Sequence, residues 1–401
     1  MGSAISGRMR RGTRCRALRQ LTPFSCRNTL IRVQDPFTID DAPSSRFPSS
    51  LASQRQRIKS LDALRGVAVV VWLIGAFAVP ALNRLPRSRL RDDVTAQFSP
   101  SFWHGVTIYD LALPTFLFAM GAAIVPAFER RRALGQTGRQ LGWRIARRVL
   151  LLIAIGLLCG GGLLGRWSDL HFVGAFQRIA ACYAVAACLY LASGWRFQAG
   201  LVGFLLIDYL AILACGTGGD ASTVYSVDGN LAAYLDNWIL PGRRYFGTWD
   251  PNGILTTIPA NAITVAGLLT GRALATETQE PRAFNRWLFV AGIAAINVGF
   301  LSDFICPINS YLWTTSFCVI AIGTALLALV VLDTVLHIRQ GSALATLFTA
   351  CGANALFVIL ASATLSCLVS SAASVTGTVA VLFGISMLAL WLERRKVYMT
   401  V

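Results

Sequence analysis

Apolar residues run in stretches of roughly 18 to 25 positions separated by short polar connections, the length an α-helix needs to cross about 30 Å of hydrocarbon. The stretches are continuously apolar rather than alternating, which predicts spanning helices and not the strands of a membrane barrel. Spans are predicted at about 64–83, 106–128, 148–165, 173–193, 197–215, 253–274, 286–303, 311–335, 344–368 and 374–392. An all-α, polytopic transmembrane helix bundle of about 10 spans follows. Residues 1–56, rich in Arg, Ser and Pro, are predicted to be a disordered basic tail, and residues 57–401 one multi-span domain. No short-period repeat and no inverted pair of broken helices, the mark of many secondary transporters, is visible.

Composition narrows this further. Hydrophobic residues make up 55% of the 401 and charged residues 14%, and the mean hydropathy is +0.58, whereas soluble domains carry about a quarter charged residues. The net charge of +17 does not mark a nucleic-acid partner, because the arginines crowd the N-terminal tail, one inter-helix loop and the C-terminus. The connection Glu129–Arg148 holds Arg130, Arg131, Arg132, Arg139, Arg144, Arg147 and Arg148; short basic loops stay on the cytoplasmic side, so this loop and both chain ends are expected there. The connection with Arg84, Arg87, Arg89 and Arg91 then faces outward, against the rule, as does the long acidic connection 216–252 with Asp220, Asp228, Asp236 and Asp250. The cysteines form no CxxC pair and mostly lie in apolar runs; they read as small hydrophobes, and no metal site is expected.

A charge inside a span costs about 2.5–3.5 kcal/mol at mid-bilayer, so each one needs a partner or a purpose. Arg178, beside Gln177 in the fourth span, suits an anion or carbonyl, or else a buried pair with an aspartate. Asp110 in the second span could orient a base or be that partner. Asp62 and Arg65 at i, i+3 satisfy one another as neighbours on a helix, and Arg65 with Arg147 and Arg148 would stand at the cytoplasmic mouth, where an anionic cofactor could dock. Of three histidines, His337 falls at an inner helix end; His104 and His171 fall at outer ends, where a neutral imidazole could take a proton from an amine or hydroxyl. GTWDPNG at 247–253 reads as a turn. Asn309 and Trp313 fit an outer aromatic belt, and Asn354 fits hydrogen bonding between helices.

The order of these segments is more specific than any one of them: RIKSLDALRG, WHGVTIYDLALPTFLFAMG, VGAFQRIAACY, DPNGILTTIPA, PINSYLWTTSF and GANALF. From about residue 57 to the C-terminus this succession resembles the heparan-α-glucosaminide N-acetyltransferase family and its bacterial DUF5009-type relatives. The resemblance implies transfer of acetyl from cytoplasmic acetyl-CoA to an amino sugar or glycan on the far side of a bacterial inner membrane. Membrane lipids and a sugar acceptor are the implied partners, with a homodimer compatible. With the family histidine position occupied by Pro100, His104, or His171, is expected to replace the missing base beside Asp110 in the catalytic group, with Arg178 also orienting; Arg65, Arg147, Arg148 and Arg178 are assigned toward the cofactor; and Gln177, Asp250, Asn252, Asn309, Trp313 and Asn354 toward the substrate. The sequence departs from the pattern at Pro100, where the family has a histidine, at Asn252 for Glu, at Ser310 for Lys and at His171 for Arg. Two other functions fit the same segments: a catalytically silent membrane scaffold, and a transporter or flippase of a lipid-linked sugar using Asp110, Arg178 and Asp208 as a polar path.

Overall fold

The computed structural model describes residues 49–161, 170–215, 224–276, 281–338, 342–369 and 375–395. They form helices α1 (Ser49–Leu73), α2 (Val79–Leu82), α3 (Arg89–Gln97), α4 (Ala112–Ala133), α5 (Gly138–Cys159), α6 (Ala175–Ala192), α7 (Trp195–Cys215), α8 (Leu231–Ile239), α9 (Ile254–Thr276), α10 (Pro281–Ser302), α11 (Thr315–Ile338), α12 (Ala343–Ala353), α13 (Ala355–Val369) and α14 (Val375–Arg394). A single π-turn, Ile74–Ala78, joins α1 to α2. Among the described residues, pairing outside helices amounts to two isolated bridges, Gly105 with Asn309 and His171 with Gly242. Ser49–Gln56, expected in the tail, are helical as the start of α1; the rest of that tail lies outside the described residues.

Seven helices among the described residues are long and apolar enough to cross a membrane, and an eighth span results if α12 and α13, bent by 82° at Asn354, are counted as one. α5 and α14 stand where the remaining two spans are expected but fall outside this count. α5 starts at Gly138, ten residues before the predicted span at 148, because a capping box between Thr137 and Gln140 closes its first turn within the basic loop. Gly135, at φ 78°, supplies the left-handed residue that lets the chain reverse in so short a link. Arg130–Arg132 and the arginines of α5 thereby face one another.

The centre of the bundle is α4 against α9, the spans whose apolar windows are most enclosed, 72% and 67% buried; α10 and α7, at 17% and 22%, lie at the periphery. Small residues permit the central contact. A Cβ on Gly267 would stand 2.0 Å from the carbonyl oxygen of Phe118, and one on Gly271 would stand 2.3 Å from that of Ala122, a G-x-x-x-G spacing that brings two membrane helices to backbone contact. Buried Leu117, Phe118, Met120, Ile124, Ile263 and Leu268 fill the interface around it.

Side-chain contacts establish which helix ends share a face. Arg272, in the last turns of α9, donates to the carbonyls of Tyr190 and Ser193 at the end of α6, and Arg132 at the end of α4 lies 5.1 Å from the Tyr190 ring. These ends, with the start of α5, form a basic face. The starts of α4, α6, α9 and α11 meet at the opposite face, joined by the Gly105–Asn309 bridge and by Arg178 on the turn before α9.

Candidate functional site

The DPNG turn that precedes α9 organises the far face. Asp250 is fully buried; its Oδ2 lies 2.5 Å from His171 Nε2 and accepts from the Tyr245 N–H, while its Oδ1 accepts from the Asn252 N–H at 2.8 Å. Its own N–H donates to Asp236 Oδ2 at 3.1 Å. The next carbonyl, of Pro251, accepts from Arg178 Nη2 at 2.5 Å, and the same nitrogen donates to Thr256 Oγ1 at 2.5 Å. One tight turn therefore fixes an imidazole through residue 250 and a guanidinium through residue 251.

This arrangement has chemical content. A buried carboxylate on Nε2 holds the imidazole in one orientation and stabilises it when it takes up a proton, leaving Nδ1 as the nitrogen that accepts. The His171 side chain keeps 28% of its surface, so a substrate can reach it. Arg178 is 2% exposed, makes no ion pair among the described residues, lies 4.4 Å over the Trp313 ring, and has Nε and Nη1 without hydrogen-bond partners. A buried cation satisfied only in part by a carbonyl and a hydroxyl is suited to negative charge that develops during a reaction. Trp313, over it, has φ of 53°, a strained conformation for a bulky residue, held by the Asn309–Thr314 turn in which Asn309 Oδ1 accepts from Leu312 N–H at 2.8 Å.

Asp236 belongs to this cluster. Burial pushes its carboxyl above the usual carboxylate range, opposed by the N–H groups of Asp250 and Ile254 and reinforced by the Asp250 carboxylate. Gly253 is the residue the site requires here: a Cβ would stand 2.2 Å from Asp236 Oδ2. Beside it, Trp103 stacks on Tyr311 at 5.7 Å and donates from Nε1 to the Tyr225 carbonyl. The Tyr311 phenol is pushed up to about 12 by burial and by its neighbours Tyr245 and Asp110.

On the basic face a cavity of about 890 Å³ opens between α1, α4, α5, α6 and the α12–α13 break. Its wall carries Arg65, Arg130, Arg131, Arg139, Arg144, Arg147 and Arg148 and, among the described residues, no Asp or Glu. Arg65 pairs with Asp62 at 2.6 Å, and Arg148 lies 4.3 Å over the Tyr183 ring. Arg65 and Arg148 each keep a buried Nε without a partner.

The structure thus separates the residues singled out in the sequence into two groups. His171, Asp250, Arg178, Trp313 and Asn309 come together on the far face, where Asn252 enters through its backbone N–H and Gln177 is half-buried with Nε2 unpartnered. Arg65, Arg147 and Arg148 line the cavity, and Asn354 is buried at the break between the lining residues Ala353 and Ala355, away from the far-face group. Arg178, assigned above to the cofactor side, stands instead with the far-face cluster. Asp110 does not meet Arg178: its Oδ2 accepts from the N–H groups of Ser101 and Thr107 and from Thr107 Oγ1, so it fastens the loop before α4. His104 and Pro100 are exposed on that loop, and Ser310 Oγ meets Ser101 Oγ at 3.1 Å. Asp236 and Thr256 were not singled out by sequence; the one available signal was the amphipathic run LAAYLDNWI of α8, which places an aspartate on a buried face.

Two comparisons with known proteins find similar chains. Residues 57–160 match the family described as "Domain of unknown function (DUF5009)". The chain is 24% identical over 346 residues, 71% of its length, to "Heparan-alpha-glucosaminide N-acetyltransferase" of Mus musculus, and 24% identical over 364 residues, 76% of its length, to the protein of that name from Homo sapiens. It spans about half of each of these relatives, 49% and 52%. The chain is an integral membrane protein of multi-pass helices, similar at 24% identity to the heparan-alpha-glucosaminide N-acetyltransferases of mouse and human, with a match to the DUF5009 family model over residues 57–160.

Proposed function

We propose that the chain is a membrane acyltransferase that takes acetyl from acetyl-CoA bound in the basic cavity and passes it to the amino group of a sugar or glycan presented at the opposite face. The basic cavity carries this reading: seven arginines on its wall, of which Arg65 is paired with Asp62, form a site for a polyanion too highly charged to enter hydrocarbon. The sidedness expected from the basic loops places that cavity toward the cytoplasm.

In the reaction, the acceptor nitrogen attacks the thioester carbonyl carbon, the C–N bond forms, the C–S bond breaks and CoA thiolate leaves. His171 takes the proton released from nitrogen at Nδ1 and returns it to the thiolate or to water. Asp250 orients the ring, and Arg178 stabilises the oxyanion of the tetrahedral intermediate. Departure from the family at Pro100 is compatible with this chemistry, because the imidazole comes from a different segment.

The donor half is tested by binding. Hydrogen bonds to charged groups contribute about 1.5–3 kcal/mol each, so Arg144→Gln with Arg147→Gln weakens acetyl-CoA binding, measured by calorimetry on the purified protein, by about tenfold or more. Unchanged affinity in that double variant removes the cavity as the donor site.

A further inference from the structure

Two loops on the far face carry apolar side chains that stand open: Phe102, Phe304 and Ile305 are 100%, 90% and 75% exposed. The loop before α4 and the link between α10 and α11 are stitched together, because Gly105 N–H donates to the Ile308 carbonyl at 2.9 Å and Ser101 Oγ meets Ser310 Oγ at 3.1 Å. α10 ends at Ser302 and α4 begins at Ala112, so the three side chains stand past the helix ends, at the level of lipid headgroups rather than among the tails. Aromatic residues at that level are ordinarily Trp and Tyr, whose rings carry a polar atom. Phe and Ile have none, and three of them on joined loops mark a surface for an apolar partner.

This rim runs into the histidine site. Trp103, next to Phe102, packs edge-on against Trp249 at 6.0 Å between ring centroids, and Trp249 precedes Asp250, the partner of His171. Tyr311, stacked on Trp103, meets Phe246 at 5.4 Å, and the exposed Tyr245 donates its N–H to Asp250. Charge at the same face fits a lipid surface. Lys59–Leu82 is one span, so the connection after it emerges opposite the cavity that holds Arg65, and there Arg87 and Arg89 are exposed with no ion pair among the described residues. The far end of that connection is fastened to the same loop, through the Tyr109 N–H and the Gln97 carbonyl.

We infer that the acceptor is a lipid-anchored amino sugar, held with its apolar chain against Phe102, Phe304 and Ile305 and its amine at His171. This rests on the acyltransferase reading and names the class of its acceptor. A soluble sugar would leave the apolar rim facing water, whereas a chain drawn up from the bilayer covers it. The acceptor then reaches the site by moving in the membrane plane, and only its sugar head enters the cluster around Asp250. Arginines on an outward connection run against the basic-loop rule; here they face anionic lipid heads, which attract them.

Two acceptors separate the rim from the chemistry: glucosamine, and dodecyl glucosaminide, the same amine with an apolar chain. The protein is held in nanodiscs, whose two faces are both open to substrate. Phe102→Ser with Phe304→Ser should raise KM for dodecyl glucosaminide about tenfold or more, the loss expected when a few methylene groups are no longer buried. It should leave kcat unchanged, because the contact is remote from the reacting nitrogen. Ile305→Ser should act in the same direction by a smaller factor. Transfer to glucosamine should be unaltered in both variants, which also reports that they fold. Partition of the lipid acceptor into the disc is common to wild type and variants, so the difference belongs to the rim. An unchanged KM for dodecyl glucosaminide in both variants, or an equal loss for the two acceptors in both, overturns the lipid-anchored assignment and leaves the acyltransferase reading standing. Absence of transfer to either acceptor by the wild-type protein overturns that reading and this inference with it.

Discussion

His171→Ala lowers acetyl transfer by about 10²- to 10⁴-fold, the range that general acid–base groups contribute, and leaves CoA binding unchanged. The basis is the 2.5 Å contact between His171 Nε2 and the buried Asp250 carboxylate, in a ring still partly open to solvent. Asp250→Asn keeps the shape and loses the charge, so it lowers the rate as well, through the imidazole it no longer holds. His104→Ala changes little, because His104 is exposed on the loop before α4. Rates of transfer from radiolabelled acetyl-CoA to glucosamine, measured beside CoA affinity, check all three. Full activity in His171→Ala, or loss of CoA binding equal to the loss of rate, assigns the histidine a role other than base.

Arg178→Gln is expected to reduce turnover by about 10²- to 10³-fold, the cost of removing one oxyanion donor, with the larger part in kcat rather than KM. The guanidinium is buried and, among the described residues, is hydrogen-bonded only to Pro251 O and Thr256 Oγ1, with Nε and Nη1 unpartnered. Glutamine is smaller, neutral and polar, so it fits the space without leaving a buried charge. A merely structural arginine would lower the thermal midpoint and leave kcat of the folded fraction intact; a catalytic one does the reverse. Steady-state kinetics on material sorted for its folded fraction distinguishes them.

Much of the architecture was legible in the sequence because hydrocarbon imposes its own period: uninterrupted apolar runs read directly as spans, and the helices fall where those runs lie. Less could be read where the answer depends on pairing across the chain. His171 and Asp250 are 79 residues apart, and nothing local to either announces the other. The DPNG segment reads as a turn and is one, but its use as a fastening for both an imidazole and an arginine depends on α6 being packed beside it. Asp236 looks like one more acid in a long connection until α8 turns it inward. Asn354 reads as a polar residue within a continuous span; the helix is instead broken there, and no Pro marks the break. The arginines of 129–148 were informative about sidedness, yet a count of charges does not reveal that α1, α4 and α5 arrange them around a cavity.

Donor and acceptor on opposite faces is the claim on which the whole account depends, and sided transfer tests it most directly. The protein is reconstituted in vesicles in one known orientation, acetyl-CoA is supplied to the arginine-lined face alone, and a membrane-impermeant amino sugar is confined to the other. Acetylated sugar should accumulate on the far side, and supplying the two substrates from exchanged faces should yield none. Product only when both substrates share one face would contradict the account.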